Sequence, residues 1–203
     1  MNVAFEQQYL NDSLATFRAY KKLAERALAQ VSDEELFATI DDESNSIAVV
    51  MKHLARNMIS RWTDFLTSDG EKPDRKRDLE FVIEAQDTKA ELFAYWEKGW
   101  DCLPNALESL RPAEFERKAL IRGEEHTIVQ AVNRQLTHYA YHVGQIVFLA
   151  KHFRSKEWKS LSVPKNRSAS FNEYMQQRLH SGAHRFDVAA GFAAELEGDR
   201  KKD

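Results

Sequence analysis

Cysteine is nearly missing from this chain of 203 residues, in which Cys102 stands alone. One thiol excludes an intrachain disulfide and any cysteine-based zinc cluster, and it points to a reducing, cytoplasmic home. Cys102 lies beside the apolar Leu103 and reads as a small core residue rather than a nucleophile. Seven glycines and four prolines are few for this length, so tight turns are scarce and long uninterrupted elements are expected. No window approaches the roughly 18 consecutive apolar residues of a membrane span. The first seven residues, Met1 to Gln7, have no basic stretch followed by an apolar one, so no secretion signal and no membrane partner are expected. A strong charge of one sign is absent too. A net charge of −3 gives no general pull towards nucleic acid. The basic run Lys72-Pro73-Asp74-Arg75-Lys76-Arg77 is local and mixed with acids, and it reads as a solvated loop rather than a phosphate-binding patch.

What the chain has is helical period. Phe5, Tyr9, Leu10, Leu14, Phe17, Tyr20, Leu23, Ala27 and Val31 fall at steps of three and four over residues 3–31. Ser32-Asp33-Glu34-Glu35 is a capping sequence for a short turn or helix. Ser44, Asn45 or Ser46 can cap a second long helix running to about Leu66, with Ile47, Val50, Met51, Leu54, Met58 and Phe65 as its seam. Asp69-Gly70 is a turn. A third long helix is expected from a cap at Asp78 through Leu79, Val82 and Ile83 to Leu103, with Pro104 kinking or ending it and a polar interval from Glu84 to Ala90. Residues 115–127 read as a small β-hairpin about a glycine turn, marginal unless packed on helices. Thr127 caps a fourth long helix reaching about Phe153. Trp158 to Pro164 breaks the pattern, and Ser168 to Asn172 starts a short final helix. The expected fold is all-α, a four-helix bundle with a hairpin before its last long helix. One domain occupies residues 1–180, and 181–203 form a charged, flexible tail.

The chemistry concentrates in Thr137-His138-Tyr139-Ala140-Tyr141-His142-Val143-Gly144-Gln145. His138 and His142 share a helical face, because residues four apart stack one turn above the other. Such a pair can grip one metal ion from a single rigid element. His53, at the edge of the second helix's seam, can complete a three-imidazole site with an open position. The alternative is three partly buried histidines bonded to carbonyls or neighbouring side chains. His180 and His184 repeat the spacing, but Gly182 lies between them in a polar tail, so they read as surface residues. Asn57, Tyr141 and Gln145 are expected to line the pocket. Arg56 and Arg61 flank the His53 face and can hold an anionic substrate or lie at the surface. Trp62, Trp96, Trp100 and Trp158 read as core or loop anchors. A zincin-type protease is excluded, because its general base would sit at position 139, which is Tyr. A ferritin-like di-metal centre is excluded too, because neither 135–138 nor 139–142 begins with Glu.

A histidine on the second helix with a His-x-x-x-His pair on the last long helix resembles the DinB/YfiT-like superfamily. Arg61 to Lys72, Arg77-Asp78-Leu79-Glu80-Phe81, Trp158 to Ser162 and Phe171-Asn172 resemble one uncharacterised branch of it, over roughly residues 1–175. The resemblance implies a divalent metal, zinc or nickel, on His53, His138 and His142, and a homodimer. It also implies S-transfer with a low-molecular-weight thiol cosubstrate such as bacillithiol, mycothiol or glutathione. The function expected is therefore a metal-dependent thiol S-transferase, or a related hydrolase, acting on a small-molecule substrate. The alternative is a non-catalytic dimeric metal-binding or stress-response module. Nucleic-acid binding is a third, weaker option that the acidic balance opposes.

Overall fold

A computed structural model describes residues 3–178 and 185–200. It is a helical bundle with one two-stranded hairpin, as the periodicity predicts. Helix α1 spans Val3–Leu28. Ser32 then starts the single-turn helix α2, Asp33–Phe37, through a reciprocal capping box. Ser32 Oγ accepts from Glu35 N at 3.2 Å, and the Glu35 carboxylate accepts from Ser32 N at 2.7 Å.

Helix α3, Ile47–Trp62, is capped by Ser46, whose Oγ accepts from Val49 N. It stops four residues before the expected end at Leu66. Thr63 is extended, and Asp64 adopts φ 50°, a left-handed conformation that no helix interior accommodates. Nearly every α3 side chain is buried, which makes it the central helix. Helix α4 packs closely on it, because Gly99 of α4 brings the two backbones together. A Cβ at Gly99 would lie 2.9 Å from Ala55 Cα.

Helix α4 itself is Lys89–Glu108, capped by Thr88. The expected start at Asp78 is therefore wrong by ten residues. Arg77–Phe81 form only a 3-10 turn, and Leu79, Val82 and Ile83 are exposed at 38%, 51% and 38%. Their spacing mimics a helical seam, but they cover no core, and the polar interval from Glu84 marks the true break. Pro104 lies inside α4 and does not end it.

The hairpin is β1, Lys118–Ile121, paired antiparallel with β2, Glu124–Thr127. Arg122 and Gly123 form its two-residue turn with φ 56° and 75°, the paired positive angles of a twist-matched hairpin turn. An isolated hairpin is marginal, and this one is anchored twice. Ala119 and Ile121 point into the core. Asp69, in the loop after α3, accepts from the amides of Arg122 at 2.8 Å and Gly123 at 2.6 Å. The Glu71 amide, at 2.7 Å, and those two bonds together offset burial and hold the Asp69 carboxyl below the usual range.

Helix α5, Ile128–Arg154, starts at a capping box between Thr127 and Gln130 and packs on α1 and α3. The following segment crosses back to α1, where Gln30 exchanges two hydrogen bonds with the Lys159 backbone and Leu161 is buried. Helix α6 is Ser168–Gln177. The expected flexible tail is in part a helix, α7, over Arg185–Arg200. Val188, Phe192 and Ala193 are buried there, Phe192 lies against Phe171 and Tyr174, and Glu195 accepts from Tyr174 and Arg178. The apolar spacing of Val188 and Phe192 is diluted by alanine and glycine, which hides the helix in the sequence. His180 and His184 lie outside the described residues. No described helix is long and apolar enough to cross a membrane.

Candidate metal centre

Helices α3 and α5 face one another with their residue order reversed, so matched stripes meet. On α3, His53, Asn57 and Arg61 follow at four-residue steps. On α5, Arg134, His138 and His142 do the same. The histidines of the two stripes converge. His138 Nε2 lies 3.3 Å from His53 Nε2 and 3.1 Å from His142 Nε2. One ligand atom from each of the three falls within 4.8 Å of the others.

The other ring nitrogens decide the protonation of this cluster. His53 Nδ1 is 2.8 Å from Glu80 Oε2. Burial opposes ionisation of Glu80, but hydrogen bonds from His53 and Arg75 hold its carboxyl below the usual range. A carboxylate only accepts, so His53 Nδ1 donates, and in the neutral ring that a metal requires its Nε2 carries a bare lone pair. His142 Nδ1 is 2.7 Å from Gln145 Oε1 and likewise donates, leaving a second bare Nε2. Both lone pairs point at His138 Nε2, which has at most one proton to offer them.

A divalent cation would resolve this crowding. Imidazole nitrogens at ~2.0–2.1 Å from a tetrahedral ion stand roughly 3.3 Å apart, close to the two separations measured from His138 Nε2. The carboxylate–histidine pair supplies the outer support that orients metal-binding imidazoles and raises their basicity. Metal ligands must also be neutral. Burial, followed by the charges of His142, His53, Arg61 and Arg75, lowers the His138 pKa to about 3. Burial also lowers His142 to about 4, against the opposing hydrogen bond that its Nδ1 donates to Gln145 Oε1. The three histidines can therefore hold one metal ion, and the donor set fits that role.

The cluster opens into a cavity of about 610 Å³, a size suited to a small molecule. Asn57, Tyr141 and Gln145 line it. Gln145 links the two histidine-stripe neighbours, since its Nε2 donates to Tyr141 Oη at 3.2 Å. Asn57 instead accepts from Tyr139 Oη, which also accepts from Trp62 Nε1. Tyr139 is fully buried, and burial pushes its phenol up. Position 139 therefore belongs to the core rather than to chemistry. Arg61 lines the cavity, whereas Arg56 lies over the Tyr95 ring and lines a separate one.

Several site residues escape sequence reasoning. Glu80 lies 27 positions from its partner His53, so no local spacing reports it. Its segment imitates a helix, and only the Arg77–Phe81 block carries a signal. The basic run at 72–77 is largely the exposed loop expected, with Pro73, Asp74, Lys76 and Arg77 at the surface, but Arg75 departs from it. The Arg75 side chain is 5% exposed and forms ion pairs with Glu80 at 2.7 Å and Glu71 at 3.0 Å. Buried carboxylates close in space draw it inward. Arg77, Arg122, Arg134 and Gln135 also line the cavity.

No curated protein and no solved structure matches the chain. A family model described as "Protein of unknown function (DUF1572)" matches residues 4–167, which span the bundle, the hairpin and all three histidines. The chain belongs to the DUF1572 family, within the DinB/YfiT-like superfamily.

Proposed function

We propose that the protein is a metal-dependent enzyme in which His53, His138 and His142 hold one divalent ion, zinc or nickel, and transfer is to or from a low-molecular-weight thiol. A related hydrolase would use the same residues. One observation carries the reading. Two Nε2 lone pairs, each fixed by an acceptor on the opposite ring nitrogen, point at a third imidazole on the wall of a cavity large enough for a substrate.

When bound, such an ion lowers the pKa of a coordinated thiol or water and supplies a nucleophile near neutral pH. The chain's own residues do the rest. Glu80 takes the His53 Nδ1 proton in a hydrogen bond and sets that ring's tautomer, and Arg75 holds Glu80 from both oxygens at 2.7 and 2.8 Å. Gln145 does the same for His142. Phe81 lies against the His53 ring at 4.9 Å between centroids and shields it from water. Three protein ligands leave room for a substrate, as in catalytic rather than structural zinc sites.

Metal content and thiol-transferase activity of His138→Ala and His142→Ala test the reading. Loss of both is expected, and normal metal and activity in either variant would sink it.

A second reading, a non-catalytic metal-binding module, is favoured by the placement of the ligands on two different helices, which an ion would clamp together. Thermal melts with and without chelator separate the two. An ion at about 100 times its Kd adds about 2.7 kcal/mol to folding stability, and that gain without turnover under any thiol selects the module.

A further inference from the structure

The wall of the histidine cavity contains Arg61, Arg75, Arg77, Arg122 and Arg134, and no carboxylate. Three acids stand behind it, and none neutralises the group. Glu71 shares one oxygen, Oε2, among Arg61 at 3.3 Å, Arg75 at 3.0 Å and Arg122 at 3.3 Å. Glu80 is taken by Arg75 and His53. Asp69 gives its oxygens to the backbone amides of the hairpin turn. Among the described residues neither Arg77 nor Arg134 forms an ion pair, and Arg77 lies over the Phe81 ring instead.

Arg61 is the most telling member. Its side chain is 6% exposed, its one ion pair is long, and its Nε and Nη1 are buried with no acceptor. A buried guanidinium that lacks partners is expensive unless something else supplies the negative charge. Burial depresses its pKa, and the like charges of Arg75 and Arg134 depress it further against the pull of Glu71. The buried Gln135 Oε1, on the same wall, is also without a donor.

We propose that this cavity takes a small dianionic substrate, a phosphate monoester or a dicarboxylate, held by Arg61, Arg122 and Arg134 beside the histidine centre. Five guanidiniums share only Glu71 and Glu80, and Glu80 also serves His53, so the wall keeps an excess of positive charge that a dianion counters better than a monoanion. Guanidinium forks pair with either oxyanion through charge-assisted hydrogen bonds. The proposal rests on the metal-dependent reading only in treating the anion as that enzyme's substrate, since the arginines stand whether or not an ion is bound.

Calorimetric titration of the full-length protein tests it, with zinc-loaded and zinc-stripped samples in low salt. The probes are inorganic phosphate, malonate and, as a monoanion, acetate. Phosphate or malonate should bind saturably and at least tenfold more tightly than acetate, and whichever dianion binds better names the source. Arg61→Gln and Arg134→Gln should each weaken that binding by about tenfold or more. Arg61 is buried and its replacement risks the fold, as circular dichroism will report. Arg134 is exposed, so Arg134→Gln decides where Arg61→Gln does not fold. No saturable dianion binding at about 10 mM, or unchanged affinity in the folded variants, overturns the proposal. Zinc uptake read on the same samples keeps the two ideas apart. Uptake without dianion binding removes this one alone, and dianion binding without uptake removes the metal reading alone.

Discussion

Glu80 Oε2 stands 2.8 Å from His53 Nδ1, and the Glu80 side chain has no solvent exposure at all. A buried carboxylate costs several kcal/mol of desolvation unless it is paired and hydrogen-bonded, and here it is both. The pairing joins three separate parts of the chain, since Arg75 closes the other side of the carboxylate and His53 belongs to α3. The 3-10 turn at Arg77–Phe81 places this acid against the His53 imidazole.

Glu80→Gln should keep the packing and weaken the centre. The amide loses the charge that raises His53 basicity, and it leaves Arg75 with Glu71 as its remaining anionic partner. Zinc affinity measured against a competing chelator should fall 10- to 100-fold, the usual effect of removing an outer support from a metal ligand. Equal affinity in the variant would show that Glu80 serves only the fold.

Acid should destabilise the metal-free protein earlier than its carboxylates alone would. His138 and His142 hold folded pKa values of about 3 and about 4, against 6.5 for a free imidazole. Between those limits the unfolded chain binds protons that the folded chain refuses, so stability falls as pH is lowered from about 6.5 towards 4. Above 6.5 both states are neutral and these residues contribute no pH dependence. Urea midpoints at pH 7, 5.5 and 4.5 check this. The decline should be shallower in His138→Gln, and parallel curves for the two proteins would refute the account.

Two glycines should respond to alanine in opposite directions. At Gly99 the new methyl would lie 2.9 Å from Ala55 Cα and 3.0 Å from its carbonyl oxygen, so α3 and α4 must part, at about 1–3 kcal/mol. Gly144 sits on an exposed face of α5 with nothing within 4 Å of an added Cβ. There alanine should add about 0.5–1 kcal/mol by restricting the unfolded chain. Denaturant unfolding of the two variants reads both signs.

Local chemistry made much of this fold legible in the sequence. Ser32 with Glu35, Ser46, and Thr127 with Gln130 start their helices through side chains adjacent in sequence, and Arg122-Gly123 turns the hairpin within four residues. The His138–His142 pair is legible for the same reason, and His53 joined it through the period of α3. What stayed hidden depends on distant partners. Leu79, Val82 and Ile83 repeat at helical spacing without a surface to bury against, so the period alone misplaced the start of α4. Arg75 read as a solvated charge because Glu80 and Glu71, which draw it inward, matter only once the loop folds over α3. Helix α7 escaped notice because its burial rests on Phe192 meeting Phe171 and Tyr174 from another helix.

The hairpin turn has an evolutionary consequence. Arg122 reaches the cavity from a two-residue tip gripped by Asp69, while the histidines sit on two helices of the core. Centre and rim are thus inherited on separable parts of the chain. An exchange at 122 therefore alters the charge of the doorway from outside the two helices that carry the imidazoles.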